Sequence, residues 1–360
     1  MREFYYLNHS PITSVHFSKN SSDFTVFELP LYEFSGSGEH LIMHIRKKDL
    51  TTWQMLSDLS KHSGVNIREF GYAGLKDKDG MTTQHISVNA KFEKKFEDFL
   101  HPKIKILSFA RHDNKIKTGH LKGNRFFIRL KKVLEIDALK LEEALKKVAN
   151  EGFPNFFGSQ RFGARGDNFD LANEILEGKR VEKNRKKRDL YLSAFQSALF
   201  NEWLYKRVEI SKLANEFNKK ELSKIFNEEM ADELLGQKTF FKLLSGDVAH
   251  HYPHGRSFLV EDLKNESERF FKKEIVPTGL MPGKKSVFAT TLAKEIEDQF
   301  FSKSFPYLDY FSGSRRFAWT FLEDLEFKYI KEKAWFEFSF SLQKGSYATV
   351  LLSQVLKTKI

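Results

Sequence analysis

Residues 71–84 read Gly-Tyr-Ala-Gly-Leu-Lys-Asp-Lys-Asp-Gly-Met-Thr-Thr-Gln. One carboxylate, Asp77, stands between Lys76 and Lys78 in a glycine-punctuated loop, and the run His85–Asn89 behind it alternates like a strand. Loops on a rigid scaffold are where reactive groups are usually presented. Flanking ammonium groups favour the ionised carboxylate, which suits a nucleophile or base better than an acid. Taken alone, the stretch also reads as a charged surface turn. A calcium loop is excluded by spacing. With Gly80 at the sixth position, Leu75 and Ile86 fall where the first and twelfth must be carboxylates.

The composition narrows the chemistry. A chain of 360 residues suggests two domains, at roughly 150 residues each. Hydrophobic content of 41% and 37 phenylalanines indicate a core built on aromatic rings. There are no cysteines, which removes disulfides, thiol nucleophiles and thiolate metal sites and fits a reducing compartment. The opening Met1-Arg2-Glu3-Phe4-Tyr5-Tyr6 lacks the pattern of a signal peptide. No run approaches the ~20 apolar residues of a membrane span, so a soluble, cytoplasmic protein is expected. The net charge of +11 favours a polyanionic partner. From His101 to Lys132 there are ten Lys or Arg against one acid, Asp113. Interleaved Phe109, Phe126 and Phe127 could stack on bases while the cations neutralise phosphates. A second basic run, Lys179 to Arg188, has no aromatics and reads as an exposed linker or a phosphate contact.

Strand signals dominate both ends of the chain and helical signals the middle. Asp23-Phe24-Thr25-Val26-Phe27-Glu28-Leu29 and Leu41-Ile42-Met43-His44-Ile45 have strand composition. Thr51-Thr52-Trp53-Gln54 fits a capping box opening a helix that Gly64 ends. Helices are predicted over Asp137–Asn150 and, from the stripe Leu192, Phe195, Leu199 and Trp203, over Asp189–Arg207. Pro277-Thr278-Gly279-Leu280-Met281-Pro282-Gly283 reads as a turn cluster. Phe336, Phe338, Phe340 and Leu342 alternate with Glu337, Ser339 and Ser341 in a final strand. Gly36-Ser37-Gly38 and Gly283-Lys284-Lys285 lack the residues that nucleotide loops need. His250, His251 and His254 have no adjacent acid and are interrupted by Pro253, so no metal site is assigned.

Several of these segments occur together in one known family. Ala73-Gly74-Leu75-Lys76-Asp77-Lys78, then Thr82 and Gln84, resembles the signature loop of the TruD family, the tRNA pseudouridine(13) synthases. Asp23 to Glu28, Gly38-Glu39-His40-Leu41 and Gly119-His120-Leu121-Lys122-Gly123-Asn124-Arg125-Phe126 are similar to further family segments, as are Pro154 to Gly163, Gln196 to Asn201, Pro277 to Gly283 and Gly345 to Thr349. The resemblance runs in order through nearly the whole chain. It implies an α+β catalytic domain with a central mixed, largely antiparallel sheet flanked by helices, formed by residues 1–154 and 319–360. An inserted α/β TRUD domain would occupy 155–318, with tRNA held in the cleft between the two.

The implied reaction converts a uridine of tRNA, at position 13 in the D-arm, to pseudouridine without metal or organic cofactor. Asp77 would be the catalytic residue, attacking C1′ or removing a sugar proton. Because the base must leave the stack, the resemblance places Phe24, Phe126 and Tyr347 near the flipped uracil, with Asn124 as a hydrogen-bond partner. Glu28, Lys76 and Gln84 would support the site, and Lys115, Lys117, Lys122 and Arg125 would contact the RNA backbone. Gly80 stands where small residues such as Ala are usual, which should loosen the loop, and Tyr347 where Phe is common. The other reading is a non-catalytic RNA-binding protein with the same basic strip. No protein partner is implied, and a monomer is expected.

Overall fold

The computed structural model describes residues 5–163 and 165–360. The chain forms two compact units. One comprises Ile12–Leu145 with Leu322–Gly345; the other comprises the chain up to Pro11, Lys146–Phe321 and Ser346–Ile360. The expected insertion, 155–318, lies wholly within the second of these.

The first unit is built on one sheet. Its strands are β1 (Phe24–Pro30), β2 (His40–Lys48), β3 (Gly71–Tyr72), β4 (Met81–Asn89), β5 (Ile104–His112) and β6 (Leu121–Lys131). Near the C-terminus β13 (Leu322–Ile330) and β14 (Trp335–Gln343) join them, β7–β12 belonging to the other unit. The order is β13-β14-β6-β1-β4-β2-β5, with β3 also paired to β4. β1 and β4 run parallel, and the remaining neighbours are antiparallel. The sheet is thus mixed and largely antiparallel, and with the helices beside it the fold is α+β, as expected.

Period-2 patterning explains why these strands seat as they do. Phe336, Phe338, Phe340 and Leu342 of β14 are all buried and stand opposite Leu130, Ile128, Phe126 and Asn124 of β6. The Phe340 ring stacks on Phe126 at 5.4 Å and on Phe338 at 5.7 Å between centroids. On β2 and β4, Leu41, Met43, Ile45, Ile86 and Val88 form a core with Met55, Leu56 and Leu59 of helix α1 (Thr52–Ser63). The capping box is present, Thr51 and Gln54 bonding each other's main-chain N–H, and Gly64 ends the helix at φ +67°. Helix α2 (Glu135–Glu151) follows β6.

The second unit contains β7 (Phe153–Pro154), helices α3 (Asn168–Leu176), α4 (Arg185–Glu216), α5 (Lys219–Ile225) and α6 (Glu228–Leu234), then β8 (Val248–His251), β9 (Ser257–Leu259), α7 (Leu263–Phe271), β10 (Ile275–Met281), α8 (Thr291–Phe301), β11 (Ser314–Phe317), β12 (Trp319–Thr320) and α9 (Ala348–Leu356). β11-β10-β8-β9 make a four-stranded sheet and β12 pairs with β7. The stripe predicted for Asp189–Arg207 is buried within the longer α4, whose first turn takes up the end of the basic run. Pro277–Gly283 differs from the expected turn cluster, because its first five residues belong to the fully buried β10. The reason is Gly279. A Cβ there would lie 2.4 Å from the Trp203 ring, so the glycine makes room for the indole of α4 rather than a bend. Among the described residues no helix is long and apolar enough to cross a membrane.

Phe340 has no exposed surface and sits between two rings. Phe340→Ala should destabilise the protein by about 3–5 kcal/mol, read as a lowered midpoint in urea unfolding with an unchanged slope.

Candidate active site

Glu28 sits where two strands part. β1 and β4 pair through Phe27↔Thr83 and no further, while β1 continues to pair with β6, Glu28 standing opposite Asn124. In place of the next ladder bond, the Glu28 carboxylate takes the next free N–H of β4. Its Oε1 accepts from the His85 main-chain N–H at 3.0 Å and lies 3.6 Å from His85 Nδ1. Its Oε2 is 3.3 Å from Lys76 Nζ, in an ion pair whose side chains are 8% and 1% exposed. Lys76 Nζ also donates to Asn124 Oδ1. Burial alone would raise the Glu28 pKa. The His85 ring beside it, the Lys76 charge and the His85 backbone bond outweigh it, and the carboxyl titrates below its ordinary value. Burial lowers the Lys76 pKa despite the attraction of Glu28.

That buried pair holds one side of the signature loop, and further bonds hold the rest. The Lys76 main-chain N–H donates to Thr52 Oγ1 at 2.9 Å, and the Thr52 hydroxyl donates to Gln84 Oε1 at 3.1 Å. The Asp77 main-chain carbonyl accepts from Lys47 Nζ at 2.7 Å. Gly119 N–H donates to Ala73 O at 2.8 Å, which ties the loop to the segment carrying Lys115 and Lys117. Gly80 tightens the loop rather than loosening it. Its φ is +89°, and a Cβ would come 2.7 Å from the Phe24 carbonyl oxygen, so both conformation and contact ask for glycine. Between these anchors Asp77 is exposed, a carboxylate presented at the surface from a fixed backbone.

Of the residues singled out in the sequence, Glu28, Lys76 and Asn124 therefore meet directly, and Gln84 joins them through Thr52. Phe24 and Phe126 lie 6.2 Å apart, both buried apart from an edge. Phe24 is anchored by its neighbour Asp23, which is buried and paired with Lys131 at 2.6 Å and Arg129 at 3.4 Å. Tyr347 belongs to the second unit. There it precedes α9, 6.3 Å from the Phe157 ring and 6.0 Å from the Arg316 guanidinium. Of the basic residues, Lys117 and Lys122 are exposed. Lys115 donates to Arg68 O at 3.0 Å, and Arg125 pairs with Glu326 at 3.1 Å. No group of three or more His, Asp or Glu that could hold a metal ion occurs among the described residues.

Three residues in this cluster escaped the sequence reading, namely Lys47, Thr52 and His85. For Lys47 a signal existed. Leu41, Met43 and Ile45 place every second residue of β2 on the buried face, and Lys47 is the next in that series.

Glu28→Gln removes one partner of a buried ion pair, a loss of about 3–5 kcal/mol at neutral pH. Because the folded pKa of Glu28 lies below the unfolded value of 4.5, its contribution is present above that value and is lost as pH falls through the folded one. Urea unfolding of both proteins should show the stability gap closing as pH drops from 7 to below about 4.5.

Comparison with known proteins gives the family and the fold. The sequence matches the family described as tRNA pseudouridine synthase D (TruD) over residues 1–183 and 221–355. It is 51% identical over 362 residues to the tRNA pseudouridine synthase D of Nitratiruptor sp., covering 100% of this chain and 99% of the relative. It is 54% identical over 355 residues to that of Campylobacter jejuni, covering 98% and 95%. Among solved structures it is similar to the putative tRNA pseudouridine synthase D of Methanosarcina mazei, with a TM-score of 0.66 at 22% identity over 99% of this chain and 96% of that one, which establishes a shared fold. The signature loop, the cluster behind it, the sheet that carries both and the match along the chain lead to one statement: this protein belongs to the TruD family of tRNA pseudouridine synthases.

Proposed function

We propose that this chain converts a uridine of tRNA to pseudouridine, with Asp77 as the reacting carboxylate and position 13 of the D-arm as its target. The observation that carries the reading is the Glu28–Lys76–Asn124 cluster, built on a buried ion pair, which fixes the loop presenting Asp77. In the reaction N1–C1′ breaks and C5–C1′ forms. The hydrogen on C5 leaves as a proton and N1 regains one, so no oxidant, reductant or cofactor enters the balance. Asp77 either attacks C1′ or takes a sugar proton, and either role needs an ionised, positioned carboxylate.

The target base must be turned out of its stack. Phe24, Phe126 and Tyr347 are proposed to flank it, and Asn124 to contribute a hydrogen bond. Glu28, Lys76 and Gln84 hold the loop in register. Lys115, Lys117 and Lys122 are proposed to contact phosphates beside the loop, a placement supported by the Gly119–Ala73 bond. Arg125 joins that set where RNA competes with Glu326 for its guanidinium. The catalytic domain is proposed to be 1–154 with 319–360, and the insertion 155–318.

Carbodiimide-dependent reverse-transcription stops on unmodified tRNA transcripts test the reaction directly. A single new stop at position 13, absent with Asp77→Asn although that variant binds tRNA as tightly as the wild type, is the expected result. Equal loss of binding and turnover in the variant would make Asp77 structural, and no stop on any tRNA despite tight binding would make the chain a non-catalytic RNA-binding protein. Reversing Lys115 and Lys117 to Glu should weaken tRNA binding and lower the salt slope of log K by about 2; an unchanged slope would remove both residues from the RNA contact.

A further inference from the structure

We propose that Lys47 is a positioning residue for the Asp77 carboxylate, clamping the signature loop to the turn between β2 and α1. The proposal rests on the reading of Asp77 as the reacting group. Lys47 has no exposed surface. Its ammonium donates to two main-chain carbonyls, Leu50 O at 2.5 Å and Asp77 O at 2.7 Å, and no carboxylate lies within ion-pair distance of it among the described residues. A lysine on the face that buries Leu41, Met43 and Ile45 would serve the core less well than methionine. Its presence is explained by the two carbonyls its ammonium reaches.

Those donors fix the Asp77 backbone on its C-terminal side. On the N-terminal side the Lys76 N–H is already held by Thr52 Oγ1. With both flanks bonded, the torsions that aim the carboxylate are restricted, the kind of orientation whose loss slows a reaction without weakening substrate binding. The two anchors also share an origin, since Leu50 and Thr52 bracket the start of α1, so the loop is registered against the helix and β2 together.

The charged groups acting on Lys47 are Asp77 and Lys76 of the loop and Asp49 at the end of β2. Burial dominates among them and brings the lysine down to about 8, Asp77 and Asp49 opposing it and Lys76 reinforcing it. Lys47 is therefore charged at neutral pH and loses its proton as pH rises through about 8.

The test uses the full-length protein and an unmodified tRNA transcript in single-turnover assays, with hydrogen exchange of the free protein. Lys47→Met should lower the single-turnover rate about 10²-fold with tRNA affinity within about twofold of wild type, and amide exchange across 74–80 should quicken. The wild-type rate should fall above pH about 8, and the variant should lack that limb. Lys47→Arg, which keeps charge and donors, should recover part of the rate. A folded Lys47→Met variant with wild-type rate, or with unchanged exchange across 74–80, overturns the proposal; so does a folded Lys47→Arg variant no faster than Lys47→Met. If Asp77→Asn, run in parallel, turns over like the wild type, it is the assignment of Asp77 that fails, and loop exchange alone then decides whether Lys47 is the clamp.

Discussion

The buried Glu28–Lys76 ion pair is the constraint on which the arrangement depends. It exists because the sheet opens between β1 and β4 beyond Phe27, leaving the His85 N–H without a strand partner. A carboxylate fills that gap and needs a counter-charge once it is there, since an isolated buried anion is far costlier than a paired one. Lys76 supplies the charge from the loop. The same contact that neutralises Glu28 thereby draws the residue before Asp77 into the protein, and the strength of the pair becomes the stiffness of the loop.

Around this pair every polar partner has two tasks. Asn124 faces Glu28 across the β1–β6 ladder and accepts from Lys76, so the third strand of the site is held in the same register as the first. Thr52 begins α1 and at once joins Lys76 to Gln84. The network is not fully satisfied, since the buried Gln84 Nε2 and His85 Nδ1 have no hydrogen-bond partner among the described residues, and it lies directly behind an exposed carboxylate. Asp77 is thus exposed at the surface while its main-chain carbonyl is held by Lys47. Gly80 completes the arrangement from the other end, where the absence of a side chain lets the loop rest on the Phe24 carbonyl.

Much of this was legible in one dimension because it is written in local periodicity. The β14 alternation, the Thr51 capping box and the α4 stripe each depend on residues within a turn or a few positions of one another, and each stands in the structure as read. Pro277–Gly283 departs from the expected turn for the opposite reason. Proline and glycine mark turns when only neighbours matter, but Gly279 serves a contact with Trp203, 76 positions away in the chain. Gly80 repeats the lesson, its role being set by Phe24 and by a positive φ that composition does not reveal.

The family, the loop that carries Asp77, the strands and helices that repeat with clear period, and the basic character of the segment after His101 are all written along the chain. Short-range spacing and charge suffice for these. That Glu28 and Lys76 neutralise one another, that Asn124 and Gln84 meet the same cluster, and that Lys47 turns its ammonium inward onto the Asp77 carbonyl emerges only once the sheet has packed. Pairing of charges across strands depends on register and on where a ladder ends. Both follow from how the whole sheet packs, and no window along the chain contains them.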